Sequence, residues 1–153
     1  MSAPSETLAA PGREELLNIG AAAQVAGVSE RALRYYQELG LITPCARTPG
    51  GMRRYSETDL ARVARIRELQ TLLGLNLDEI AVVLRNDDRL AEIKAVYRDE
   101  HTGAQERAEL AHECLVLLEQ LRQTVDAKRM ALDTFLADLD ARLERVRSVL
   151  AGG

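Results

Sequence analysis

From Ala104 to Leu150 the chain contains neither proline nor glycine, the two residues that most readily interrupt a helix. Within that run Leu118, Leu121, Val125, Leu132 and Phe135 fit the a and d positions of a heptad, interrupted at Lys128. Leu132, Leu136, Leu139, Leu143, Val146 and Leu150 continue the pattern after a four-residue shift, which reads as a stutter or as a break between two helices. A continuous helix here would span ~65 to 70 Å at about 1.5 Å per residue, too long to be stable without a partner. A second copy of the chain is the expected partner. Leu118, Leu121, Val125, Leu132, Phe135 and Leu139 are the candidate dimerisation residues.

The rest of the composition agrees with a helical chain. Hydrophobic residues make up 46% and aromatic residues only 3% of the 153 positions, so a core must come from Leu, Val and Ala. That length suits one compact domain with an extension. No apolar run approaches the roughly 20 residues of a membrane span, and the N-terminus lacks the layout of a secretory signal. A soluble cytoplasmic protein with no membrane partner is expected.

Charge is distributed unevenly around a net value of −4. Between Arg31 and Arg67 eight arginines face only Glu38, Glu57 and Asp59, whereas from Asp87 onward fourteen acidic residues outnumber ten basic ones. A basic region joined to an acidic helical remainder points to a polyanionic partner for the first part.

That basic region is punctuated by turn signals. From Ile19 the sequence IGAAAQVAGVS is rich in small helix-compatible residues, Gly27 can take the left-handed conformation that ends a helix, and Ser29 can cap the next one. A short helix, a tight turn and a second helix form a helix-turn-helix candidate. The second helix, about Glu30 to Leu39, turns Leu33, Tyr36 and Leu39 or Gly40 to one side and Arg31, Arg34, Tyr35 and Glu38 to the other. The arginines offer fork-shaped donors for phosphate or guanine edges, and Tyr35 adds a hydroxyl and a flat ring. In GLITPCARTPGGMRRYS, Pro44, Pro49 and Gly50-Gly51 predict a hairpin-like wing carrying Arg47, Arg53 and Arg54. Ser56 with Asp59 predicts the start of a third helix, with Arg62 and Arg65 projecting outward. Asn76 with Glu79 predicts the start of a short fourth helix through about Arg85. A further short helix is expected over about Arg89 to Glu100.

Ile19-Gly20, Gly27-Val28-Ser29, RALRYY, GLITP, the glycines before RRYS, and GLNLDEI follow one another in the order and spacing of the MerR (mercury-resistance type) family. The chain resembles that family over about Asn18 to Leu84. The resemblance implies a mainly α fold: a winged helix-turn-helix DNA-binding domain, a second helix pair, and a long helix forming an antiparallel coiled coil in a homodimer. It implies a transcription regulator that binds pseudo-palindromic double-stranded promoter DNA, distorts it, and so reaches RNA polymerase indirectly. By the same resemblance Arg34 and Tyr35 match the recognition-helix pair, Arg31 sits one turn before them, and Arg53 with Tyr55 matches the wing. Ala32 stands where a threonine is common, Gln37 where an acid is usual, and Met52 where an aromatic is frequent.

The expected organisation is a flexible tail over 1–17, the DNA-binding domain over 18–86, a connecting helical segment over 87–103 and the coiled coil over 104–150. The DNA-binding set comprises Arg31, Arg34, Tyr35, Arg47, Arg53, Arg54 and Tyr55. Neither an enzyme nor a cofactor is expected: there is no nucleophile-base set, and Gly50-Gly51 lacks the lysine and helix start of a phosphate-binding loop. His112 and Cys114, two apart on a helix, point in different directions, so no metal site is expected. A thiol switch at Cys45 or Cys114, or a small-molecule effector in a pocket built from residues about 87–130 at the dimer interface, are the regulatory options. The competing reading is a helical coiled-coil scaffold whose arginines form only a solvated face.

Overall fold

Asn18, Gly27 and Ser29 set the first turns of the fold in the computed structural model, which describes residues 16–153. The Asn18 side chain accepts from the Ala21 amide at 2.9 Å and starts α1 (Ile19–Ala26). Gly27 ends it with φ at 66°, and Ser29 Oγ accepts from the Ala32 amide at 3.0 Å to start α2 (Glu30–Glu38). Ala22 and Ala23 are buried and small, letting α1 lie close on α2, which buries Leu33 and Tyr36.

The wing follows as β1 (Ala46–Arg47) and β2 (Arg53–Arg54), antiparallel, with Ala46 opposite Arg54 and Arg47 opposite Arg53. Between them the Thr48 amide donates to Met52 O and the Gly51 amide to Thr48 O, both at 2.8 Å, with Gly51 at φ 80°. Ser56 and Asp59 cap α3 (Glu57–Leu73) reciprocally: the Asp59 amide donates to Ser56 Oγ at 3.2 Å and the Ser56 amide to Asp59 Oδ2 at 2.8 Å. Val63, Ile66 and Leu69 form its buried stripe.

The tail expected over 1–17 lies almost wholly outside the described residues. Leu17, its last position, exchanges two 2.9 Å backbone hydrogen bonds with Tyr55 and forms a β-bridge beside the wing.

The chain divides between Thr71 and Leu72 into two compact units. In the second, Gly74 reverses the chain at φ 60° and the Asn76–Glu79 capping box starts α4 (Leu77–Tyr97). The expectation of one helix ending near Arg85 and another over 89–100 is corrected here, because α4 runs unbroken through Asn86, Asp87 and Asp88. The buried stripe of Ile80, Val83 and Leu84 continues to Ile93, and side chains in the polar stretch bond to a neighbouring helix. That neighbour is α5 (Ala104–Ala151), a single helix of 48 residues, so the four-residue shift in the heptad is a stutter rather than a break.

Helices α4 and α5 run antiparallel. Asn86 Nδ2 donates to Gln120 Oε1 at 3.2 Å, and Arg89 forks onto Glu113 through Nε (2.5 Å) and Nη2 (2.8 Å). Lys128 Nζ stands 3.8 Å from Glu79 Oε1 near the start of α4. Beyond that point α5 continues with large apolar side chains in solvent, Leu132 at 64% and Phe135 at 61% exposure among them. Among the described residues no helix is long and apolar enough to cross a membrane.

Candidate nucleic-acid interface

Helix α2 is divided cleanly between two faces. Leu33 and Tyr36 point into the first unit, where the Tyr36 hydroxyl donates to Gln70 Oε1 at 3.1 Å. On the opposite side Arg31, Arg34, Tyr35 (50% exposed) and Glu38 border an open hollow of about 510 Å³, with Ser29 and Ala32 at its edge. Arg34 Nη2 lies 3.0 Å from Glu30 Oε2 one turn earlier. Both side chains are about half exposed, and such a pair contributes only about 0–1 kcal/mol, so the guanidinium can leave Glu30 for a phosphate at little cost. The face can therefore present two arginine forks and a phenol to one elongated anionic ligand.

The wing adds cations of three kinds. Arg47 is exposed, with Nη1 making only a long 3.5 Å contact to Gly51 O. Arg54 is half-buried. Arg53 is also half-buried, and its Nε is buried without a hydrogen-bond partner. Tyr55 differs from the sequence expectation of a contact residue. It is 1% exposed, its backbone is paired with Leu17, and its hydroxyl accepts from Gln37 Nε2. It is a core residue that fastens the wing to α2 and offers no surface to an outside ligand.

Two further arginines of the basic region are engaged by the fold's own carbonyls. Arg62, expected to project outward, donates from Nε to Leu41 O at 2.5 Å. Arg67 Nη1 donates to Ala26 O at 3.0 Å and satisfies the end of α1. Asp59 does similar work for the wing, its Oδ2 accepting from the Cys45 amide at 3.2 Å as well as from Ser56. No local sequence signal marked Gln37, Arg62 or Arg67 as fold-holding, since their partners are distant in the chain.

The remaining candidates lie apart. Leu118 and Val125 are exposed along α5 with Leu132 and Phe135, while Leu121 and Leu139 are half-buried. Cys45 is exposed and its thiol donates to Arg54 O at 3.4 Å. Desolvation, and then the neighbouring Asp59 carboxylate, push its pKa above the ordinary thiol value. This disfavours the thiolate that a reactive switch requires. Cys114 is half-buried on α5, and among the described residues no three metal-ligating side chains gather.

Residues 17–87 match the sequence model of the family described as MerR HTH family regulatory protein. The mercuric resistance operon regulatory protein of Shigella flexneri is 45% identical over 74 residues, 48% of this chain and 51% of that protein. The HTH-type transcriptional regulator HmrR of Sinorhizobium medicae is 32% identical over 104 residues, 68% of this chain and 63% of that one. The chain thus spans about half the length of the mercuric-resistance regulator it matches. Among solved structures, HiNmlR, a MerR family regulator lacking the sensor domain and bound to promoter DNA, superposes with a TM-score of 0.54 at 23% identity. That superposition covers 90% of this chain and 94% of the other, and shows a shared fold. The helix-turn-helix, the wing and the helices behind them all fall within a fold held in common with these proteins, and residues 17–87 carry the sequence pattern of the MerR family's helix-turn-helix region.

Proposed function

We propose that this chain is a cytoplasmic transcription regulator that binds pseudo-palindromic promoter DNA as a homodimer and acts by distorting that DNA, reaching RNA polymerase only through the promoter. The observation that carries the reading is the outward face of α2, where Arg31, Arg34 and Tyr35 stand exposed around an open hollow with no competing internal role beyond the weak Glu30 pair. Residues 18–86 form the DNA-binding domain. Arg31, Arg34 and Tyr35 enter the groove, while Arg47, Arg53 and Arg54 of the wing hold the backbone or minor groove. Tyr55 holds the wing in place. A solved protein of the same fold is bound to promoter DNA, which supports DNA as the partner.

The α5 region 104–150 brings two such domains together through Leu118, Leu121, Val125, Leu132, Phe135 and Leu139. Two recognition helices then address half-sites separated by a whole number of ~34 Å helical turns. Several phosphate contacts per dimer make affinity fall steeply with salt, with a slope of about −0.9 for each phosphate neutralised. Fluorescence anisotropy of pseudo-palindromic and random duplexes across a salt series tests this. Tighter binding to the paired half-sites, with a steep slope, is expected; no binding even at low salt would leave the chain a coiled-coil scaffold.

A further inference from the structure

A groove on the second unit, between the last turns of α4 and the first turns of α5, is not used by the proposed DNA-binding or dimerisation residues. Its volume is about 450 Å³, within the roughly 300–1,000 Å³ range of small-molecule sites. Leu90, Ile93 and Cys114 give it an apolar floor, with Ile93 only 2% exposed, and Tyr97, 49% exposed, forms a wall. Lys94 and Arg98 border the groove one helical turn apart. Neither side chain makes a hydrogen bond or ion pair with another described residue, whereas Arg89 holds Glu92 and Glu113, and Asp99 holds His101.

The groove is also formed in advance. The Arg107 guanidinium sits 5.7 Å from the centre of the Tyr97 ring and donates to Asp99 O at 3.0 Å. Thr102, buried, donates to Val96 O at 2.7 Å and closes the end of α4. A ligand would meet a fixed wall, which lowers the entropy lost on binding. An apolar trough with two unpaired cations at its edge matches a molecule with an apolar body and one anionic end.

We infer that this groove binds an amphipathic monocarboxylate, its body against Leu90, Ile93, Tyr97 and Cys114 and its carboxylate between Lys94 and Arg98, as the effector site of the regulator. The effector role rests on the proposed function above; the binding itself does not. Flexible aliphatic and flat aromatic carboxylates share the required chemistry, and separate probes distinguish them.

The experiment uses the full chain with Cys45→Ser, so that Cys114 is the sole thiol. Dodecanoate and 2-naphthoate are titrated by calorimetry in the absence of DNA, with dodecanol and dodecyltrimethylammonium as controls, and Cys114 labelling by N-ethylmaleimide is followed in parallel. The expected result is one site per chain for at least one carboxylate, with Cys114 labelling slowed about fivefold or more by direct cover of the thiol. Lys94→Glu with Arg98→Glu should weaken binding about tenfold or more through loss of charge-assisted hydrogen bonds, and Ala111→Trp should fill the groove and abolish it. Circular dichroism confirms that these variants fold. Absence of binding by both carboxylates, equal binding of dodecanol, or binding untouched by the charge reversal would each overturn the proposal. So would a Cys114 that labels only after the dimer is dissociated, since a second copy would then occupy the groove. If the carboxylate binds yet leaves operator affinity unchanged in anisotropy, the effector role is overturned and the binding site stands.

Discussion

Gln37 on α2 donates its side-chain amide to the hydroxyl of Tyr55 at the base of the wing, joining the two elements that carry the candidate DNA contacts. Gln37 Oε1 is already buried without a partner, so the joint has no spare hydrogen bond. Tyr55→Phe leaves the amide unsatisfied as well and should cost about 1–3 kcal/mol of stability. Chemical denaturation measures the loss. DNA affinity should also drop, although residue 55 is buried, because the wing is no longer pinned to α2.

Gly27 is favoured by its backbone conformation, and a side chain there would also make Arg67 shift. Its φ of 66° suits glycine, and a Cβ there would sit 2.7 Å from Arg67 Nη1. Gly27→Ala should destabilise the chain by about 1–3 kcal/mol and displace the Arg67 bond to Ala26 O. In a double-mutant cycle Arg67→Ala should cost less in the alanine background than in the wild type, the signature of a shared site. Fully additive losses would show that Arg67 can swing aside freely.

Arginines in the basic region should separate into two classes. Arg34→Ala and Arg53→Ala should both weaken operator binding, the first by about 1–3 kcal/mol with relaxed specificity and the second with a salt slope lower by about 1, with dimerisation unchanged by sedimentation. Arg62→Ala removes the bond to Leu41 O and should instead lower the melting temperature. Its salt slope should match that of the wild type once folding is restored by cooling. Wild-type-like binding by both Arg34→Ala and Arg53→Ala would remove those residues from the interface.

Phe135 is 61% exposed on a part of α5 that extends past the start of α4. A charge at that position should oppose burial against a second copy. Phe135→Glu is expected to shift the sedimentation equilibrium to monomer at micromolar concentration and to reduce far-ultraviolet helicity, because a lone helix of this kind frays. A stable dimer from this variant would relocate the seam.

Glu113 supplies a pH test of the α4–α5 pairing. Hydrogen bonds from Arg89 hold its carboxyl below the ordinary range. A depressed folded-state pKa means that the contribution is present above the unfolded value and is lost as pH falls through the folded one. Glu113→Gln should therefore melt lower than wild type near pH 7, and the gap should narrow once the pH falls below the ordinary glutamate value of about 4.3, closing as the wild-type carboxyl is protonated at its lowered folded-state value. A gap constant across that window would show that the pair contributes nothing to stability.

Much of the architecture was legible because it is local. Gly27, Ser29, the Ser56–Asp59 pair and the Asn76–Glu79 box act on groups within a few residues, so the chain alone marked where α1 ends and where α2, α3 and α4 begin; the Asn18 cap of α1 emerged only in the structure. Gly51 and the flanking arginines marked the wing, and the proline-free, glycine-free run marked α5. Tertiary structure decided what depends on partners far along the chain. Helix α4 crosses Asn86, Asp87 and Asp88, a stretch that looks like a break, while Asn86 and Arg89 reach Gln120 and Glu113 on α5. Likewise the sequence counted eight arginines as one basic patch, and only packing assigned Arg62 and Arg67 to carbonyls left open by Leu41 and Ala26. A side chain's type fixes which bonds it can make; the fold fixes which distant group is within reach, and hence whether an arginine or a tyrosine faces an outside ligand or its own core.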